Sequence, residues 1–373
     1  MTYFKTEDLA VGYNGSVLIR DINISLERGS ILTLIGPNGA GKSTVLKSVA
    51  RQLSAIGGAV YINGREVSKM TMRELSREMS VVLTDRIRPE LMTCAEVAAT
   101  GRYPYTDMFG RLTDKDRAAV SDALLKVGAA GLADVEFTSL SDGQKQRIML
   151  ARAICQEPKV MVLDEPTAYL DIRHKTELLE VLRDMAKSGV TVIMSLHEID
   201  LAVKASDYLL CLKGETVEAF GRPEDILSDG VIERLYGLEK GSYDLMFGSV
   251  ELKRPEGKPR VFVVCGAGRG IPVFRALQKS GVPFAAGILF ENDVDMQAAK
   301  RLSRCVISVP AFEPMSDAAF SAAADAMTKC EAVIDAGTPA GTLNMKNARL
   351  LELARDRGIP VYNGTDELFG KDG

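Results

Sequence analysis

Residues 36 to 44 read Gly-Pro-Asn-Gly-Ala-Gly-Lys-Ser-Thr, glycines followed by a lysine and two hydroxyls at a spacing suited to gripping a chain of phosphates. Glycines at 36, 39 and 41 let the loop Gly36, Pro37, Asn38, Gly39, Ala40, Gly41 curl so that successive amides point inward at phosphate oxygens. A helix starting near Lys42 adds its positive dipole end. Lys42 is then expected to reach the β- and γ-phosphates, Ser43 to give its hydroxyl to Mg²⁺, and Thr44 to help hold the α- and β-phosphates. The chemistry predicted is nucleoside triphosphate binding.

A second constellation supplies carboxylates. Lys159 to Pro166 reads Lys-Val-Met-Val-Leu-Asp-Glu-Pro, an apolar run that delivers two acids at what would be the C-terminal edge of a buried strand. Asp164 is expected to ligate or water-bridge Mg²⁺. Glu165 is expected to face the γ-phosphate and to orient or deprotonate the attacking water, a role that depends on positioning more than on covalent chemistry.

The elements that must position these groups follow from the apolar pattern. Strand-like runs at 31–35, 160–164 and 190–196 alternate with helical stretches such as 175–187, which predicts a mostly parallel sheet covered by helices. With the phosphate loop directly after the first of these runs, the fold class expected is an α/β P-loop NTPase. The chain of 373 residues is too long for one ordinary core, and its 46% hydrophobic content marks a globular protein. A net charge of −4 argues against nucleic acid as the main partner, since phosphate-backbone binding calls for a basic domain. The cysteines at 94, 155, 211, 265, 305 and 330 form no C-x-x-C pair and lie mostly in apolar runs, so they read as small buried hydrophobes. No apolar run approaches the roughly 18 residues needed to cross a bilayer.

Leu140-Ser141-Asp142-Gly143-Gln144 makes the reading specific. This pentapeptide, the phosphate loop, the acidic strand and His197 together resemble the ATPase subunits of ATP-binding cassette (ABC) transporters, whose signature is Leu-Ser-Gly-Gly-Gln; Asp142 replaces the first glycine. The resemblance implies a RecA-like core with a helical subdomain, ATP with Mg²⁺ as the ligand, roles for Ser141 and Gly143 on the γ-phosphate, and Gln144 among the nucleotide-binding residues. It also implies that the signature of one subunit closes over ATP held by another, so that two copies of this chain form a homodimer. Ala168-Tyr169-Leu170-Asp171 matches the dimer-contacting loop, with Asp171 as its carboxylate, and His197 matches the switch histidine that senses the γ-phosphate. Tyr13 sits where the family stacks an aromatic ring on adenine, although an aromatic in an early strand is also ordinary core material. Where the family places a glutamine that senses Mg²⁺, this chain has Thr84-Asp85, and either is the counterpart, Asp85 being able to ligate through water.

Gly101-Arg-Tyr-Pro-Tyr105, Leu170-Asp-Ile-Arg-His174 and Leu196-His-Glu-Ile-Asp-Leu201 resemble the importer ATPases serving iron-siderophores, haem and cobalamin, over roughly residues 1 to 250. This implies two such ATPases on two integral-membrane permease subunits, with an external binding protein, at the cytoplasmic face of the membrane. Residues 84 to 110 are the candidate permease contact. Soluble cassette ATPases acting on ribosomes or DNA form the alternative; they carry two cassettes or a long coiled-coil insertion, and neither is present.

Leu252 to Arg260 holds two prolines, a glycine and five charges, which predicts a division into an ATPase domain 1–252, a linker 253–260 and a C-terminal domain 261–373. Runs at 261–265, 284–290, 306–309, 332–335 and 359–362 predict a small doubly wound, Rossmann-like module, regulatory or structural in role. Val263 to Ile271 resembles a dinucleotide-binding turn, with Ile271 where the fingerprint wants glycine or alanine and Glu291 available for a ribose hydroxyl.

Overall fold

The computed structural model describes residues 2–83, 89, 91–228 and 230–370. Thr84 and Asp85 lie outside the described residues. The chain divides into two compact units, Met1–Gly237 and Leu238–Gly373.

In the first unit Ile31–Ile35, Val160–Leu163 and Thr191–Ser195 are buried at every position. Strands covered on both faces need no polar alternation, which is why they stand out as unbroken apolar runs. They form a six-stranded sheet in the order Thr216–Gly221, Tyr208–Lys213, Ile31–Ile35, Thr191–Ser195, Val160–Leu163, Met79–Val82. Neighbours run parallel except the outermost pair, Tyr208–Lys213 with Thr216–Gly221. The register sets Leu34 beside Ser195, Met194 beside Leu163 and Leu163 beside Val82. Gly36, Asp164 and His197 therefore all leave the sheet at one edge.

An antiparallel sheet, absent from the sequence reading, covers this core. It is built from Ser16–Ile22, Thr2–Tyr13, Gly57–Ile62 and Arg65–Glu66, with Ser25–Glu27 also paired to Thr2–Tyr13. The helix Lys42–Val49 shares one apolar cluster with both sheets: its Val45, Leu46 and Val49 pack with Phe4, Ile19 and Ile22 and with Leu32, Val162 and Ile193. The helix that opens at the phosphate loop is thus fixed by a core from two directions. A helical layer, Cys94–Ala99 and Asp114–Lys126, packs on the helix Asp142–Cys155.

The second unit carries a parallel sheet in the order Cys305–Val309, Phe284–Phe290, Val261–Val264, Ala332–Asp335, Val361–Tyr362, the doubly wound arrangement expected. Alternate residues of Val261–Val264 serve opposite faces, Val261 and Val263 packing with Phe274, Leu277 and Met296, and Phe262 and Val264 with Ala323, Met327 and Leu350. The expected linker, 253–260, lies inside this unit. The cause is a hairpin, Ser242–Asp244 with Ser249–Glu251, whose buried carboxylates pair with Arg301 (Asp244, 3.1 Å) and Arg275 (Glu251, 2.7 Å) on the unit's own helices.

Candidate nucleotide-binding site

The loop from 36 to 41 is held open by glycines for two separable reasons. Gly36 has φ 149° and a Cβ there would stand 2.2 Å from the Leu212 carbonyl oxygen; Gly41 has φ 87° and its Cβ would meet Ile19 at 2.7 Å. Lys42 begins the helix Lys42–Val49, and its buried ammonium donates to the carbonyl oxygens of Gly36 (2.7 Å) and Pro37 (3.0 Å). Burial lowers the Lys42 pKa, while the carboxylates of Glu165 and Asp164 oppose that shift. Lysine and both acids therefore share one electrostatic neighbourhood. Tyr13 reaches the same place from the end of Thr2–Tyr13, its hydroxyl 3.2 Å from Thr44 Oγ1 and its ring half exposed. Ser43, on the first turn of that helix, is partly buried.

The carboxylates lie where the sheet register puts them. Asp164 is buried at the end of Val160–Leu163, and Ser195 Oγ donates to its Oδ1 at 2.7 Å. Glu165 follows with φ 51°, a left-handed conformation that costs a side-chain-bearing residue about 1–3 kcal/mol and persists only when neighbours hold it. Its amide donates to Ser195 Oγ at 2.9 Å, and its Oε1 lies 2.6 Å from His197 Nε2. A carboxylate oxygen accepts, so this contact places the imidazole proton on Nε2.

Ser141 caps the helix Asp142–Cys155: its Oγ accepts from the Gln144 amide at 3.3 Å, and Gln144 Oε1 accepts from the Ser141 amide at 2.9 Å. Ser141 and Asp142 are exposed, so this helix presents its N-terminus outward. Gly143 packs closely on the following loop, where its Cβ would meet Leu170 and the Tyr169 carbonyl oxygen, each at 3.3 Å. Asp171 caps the helix Ile172–Lys187, accepting from the His174 amide and facing the His174 ring nitrogen, both at 2.9 Å. The His174 amide, first among its partners, holds the Asp171 carboxyl below the usual range.

The structure brings together Tyr13, the 36–44 loop, Asp164, Glu165 and His197. Ser141 and Asp171 are exposed, with Gly143 and Gln144 partly buried, and among the described residues none of these four hydrogen-bonds to that group. Two residues absent from the sequence reading join the first group. Ser195 bridges Asp164 and Glu165, and Tyr236, whose hydroxyl accepts from the Gly36 amide at 3.2 Å, closes the loop from behind. Burial raises the Tyr236 pKa. Nothing local marks a tyrosine 200 positions from its partner.

In the second unit the glycine-rich turn is already engaged. Asp293 Oδ2 accepts from the Ala267 amide at 2.8 Å, while buried Asp295 accepts from the amides of Gly270 (2.8 Å) and Ile271 (3.1 Å). Burial raises the Asp295 pKa, and the Gly270 amide works against that rise. The chain's own carboxylates thus occupy amides that a pyrophosphate would need, and the resemblance to a dinucleotide turn stops at its backbone. Glu291 is exposed, and its amide pairs with the Val309 carbonyl.

A family model described as ABC transporter matches residues 19–168, and one described as the MJ0874 family matches residues 284–371. An ABC transporter ATP-binding protein of Methanocaldococcus jannaschii, MJ0873, is 43% identical over 287 residues, which are 76% of this chain and 99% of that one. The iron(3+)-hydroxamate import ATP-binding protein FhuC of Bacillus subtilis is 37% identical over 240 residues, 64% of this chain and 89% of its own. The cobalamin import ATP-binding protein BtuD of Halobacterium salinarum is 33% identical over 317 residues, 83% and 79% respectively. Among solved structures, a chain of an ABC transporter described as metal-chelate type, in an inward-facing conformation, superposes with a TM-score of 0.57 at 27% identity, over 67% of this chain and 95% of that one.

Proposed function

The chain belongs to the family of ABC transporter ATP-binding proteins, and from that membership we propose that it is the ATP-hydrolysing subunit of an importer for a metal chelate, an iron-siderophore, haem or cobalamin. One observation carries the catalytic part of the reading: the 2.6 Å contact of His197 with Glu165, next to Asp164 and in the electrostatic reach of Lys42.

Lys42 and the amides of the 36–41 loop bind and orient the phosphates, and Thr44 supports them. Tyr13 stands over the adenine with its hydroxyl anchored on Thr44. The Ser43 hydroxyl and the Asp164 carboxylate are hard oxygen donors of the kind Mg²⁺ takes in small number, and these two would hold it, with Thr84 or Asp85 completing the set. When bound, Mg²⁺ neutralises phosphate charge. Glu165 orients the attacking water and takes its proton, and His197 keeps that carboxylate aimed.

Two copies close on ATP so that Ser141, Gly143 and Gln144 of one meet the phosphates held by the other. The outward N-terminus of Asp142–Cys155 supports this, since backbone amides at a helix start favour an anion. Beside Asp171, Tyr169 and Ile172 are 71% and 83% exposed, apolar surface that a second copy would cover. Permease docking is supported by a groove of about 330 Å³ lined by Met72, Leu75, Met79, Leu83 and Met149, and by the exposure of Leu91, Met108 and Phe109. No helix among the described residues is long and apolar enough to cross a membrane. In this reading the chain attaches peripherally, through the permease.

Glu165→Gln tests the reading. We expect ATP binding to persist, phosphate release to stall and a nucleotide-trapped dimer to appear in size-exclusion chromatography. Unchanged turnover would remove Glu165 from the mechanism. Membrane association that needs a co-expressed permease supports the importer, and ribosome co-sedimentation without one would overturn it.

A further inference from the structure

Ser195 is the last residue of Thr191–Ser195 and is wholly buried. The parallel register sets Met194 beside Leu163, which brings the Ser195 hydroxyl level with the start of the Asp164-Glu165 pair. That hydroxyl does two things at once: it donates to Asp164 Oδ1 at 2.7 Å and accepts from the Glu165 amide at 2.9 Å. Only a group that is both donor and acceptor can serve both contacts. Glu165 also holds φ 51°, a region that side-chain-bearing residues rarely adopt, and the amide on the N-terminal side of that dihedral is the one Ser195 ties down.

We propose that Ser195 is the positioning residue of the hydrolytic site, fixing the direction of the Asp164 carboxylate and the backbone of Glu165 through one hydroxyl. The inference rests on the roles proposed above for those two acids. Their tasks differ, one toward the cation and one toward the attacking water, and the angle between them must hold while ATP enters and product leaves. A buried hydroxyl on the neighbouring strand supplies that restraint without touching substrate. It acts as hydrogen-bond partners behind metal ligands do, where loss of the partner costs about 10- to 100-fold in metal affinity or activity.

The experiment compares Ser195→Ala and Ser195→Thr with the native full-length chain. Ser195→Ala removes donor and acceptor together; Ser195→Thr restores them beside one extra methyl. For Ser195→Ala the expected result is a fall in kcat of about 10- to 100-fold with KM for ATP little changed. The gain in ATP affinity on adding Mg²⁺, read by equilibrium dialysis in a Glu165→Gln background, should shrink, while affinity measured in EDTA and the thermal midpoint stay near native. Ser195→Thr should recover part of the kcat. Native kcat and a native Mg²⁺ gain in Ser195→Ala would overturn the proposal. So would a loss that Ser195→Thr reproduces in full alongside a lowered melting temperature, because that pattern belongs to packing. If Glu165→Gln turned over like the native chain, the reading of the site would fail and take this inference with it; a stalled Glu165→Gln beside an unimpaired Ser195→Ala defeats the inference alone.

Discussion

His197 leans on Glu165 through a single hydrogen bond, and its side chain is 44% exposed, so the ring adds little to the core and much to the direction of the carboxylate. For His197→Ala we expect phosphate release to fall by about 10²-fold, the low end for impaired proton transfer, because Glu165 loses the partner that aims it, with ATP binding and melting temperature close to native. A steady-state phosphate assay with a parallel thermal scan checks both halves; a melting temperature that falls with activity would make the histidine structural. At this scale the sequence was informative wherever chemistry and neighbours are contiguous. Lys42 follows its glycines directly, and Asp164 and Glu165 directly follow their own strand, Val160–Leu163. Ser195 and Tyr236 stayed hidden because their partners lie 30 and 200 positions away, and only strand register and the packing of the helix Val231–Tyr236 bring them in.

Among the elements, the helical layer depends on one buried cation. Arg102 donates to Asp116 (2.8 Å), Glu157 (2.8 Å) and the Cys155 carbonyl (2.6 Å), and its guanidinium lies 4.2 Å from the centroid of the Tyr105 ring. It thereby pins the turn Thr100–Arg102 to the helix Asp114–Lys126 and to the far end of the helix that starts at the signature. Glu157 is 54% exposed and contributes little, whereas Asp116 is buried and its pairing decides the energetics. Arg102→Met fills similar space and leaves that carboxylate without its cation, so we expect a loss of about 3–5 kcal/mol in unfolding free energy. The chain has no tryptophan, so the urea transition is followed by far-UV circular dichroism; an unshifted midpoint would mean the pair is dispensable. Arg102→Lys should recover only part, because one ammonium cannot match the planar fork. The same polar dependence explains why Asp114–Lys126 was not legible: its buried face is only Asp116, Val120, Ala123 and Leu124, too sparse for an apolar period. The parallel strands were legible because burial on both sides makes them unbroken apolar runs. In the antiparallel strand Thr2–Tyr13 burial is irregular and broken by register shifts against each of its neighbours, which blurs the alternation.

For the whole molecule, the strongest local sign of a division, the proline- and charge-rich 252–260 stretch, competes with longer-range packing. The hairpin before it holds Asp244 and Glu251 against Arg301 and Arg275, and Gln278 donates to the Leu252 carbonyl, so residues 242–252 belong physically with the second unit. Pairings across 24 and 57 positions leave no trace in local composition. Two truncations distinguish the boundaries. A chain ending at Gly237 keeps Tyr236, hence the acceptor for the Gly36 amide, and we expect it to be soluble, to bind ATP and to retain basal ATPase activity. A chain ending at residue 254 keeps the hairpin without its arginines and leaves buried Tyr243 without the unit it belongs to, and a two-stranded hairpin alone is marginal in water. Trypsin should therefore trim the longer chain at Lys240 within minutes and leave the shorter one intact, as mass spectrometry of the limit digest would record. A protease-resistant longer chain beside an aggregating shorter one would instead place the division at 253–260 and make the hairpin part of the ATPase unit.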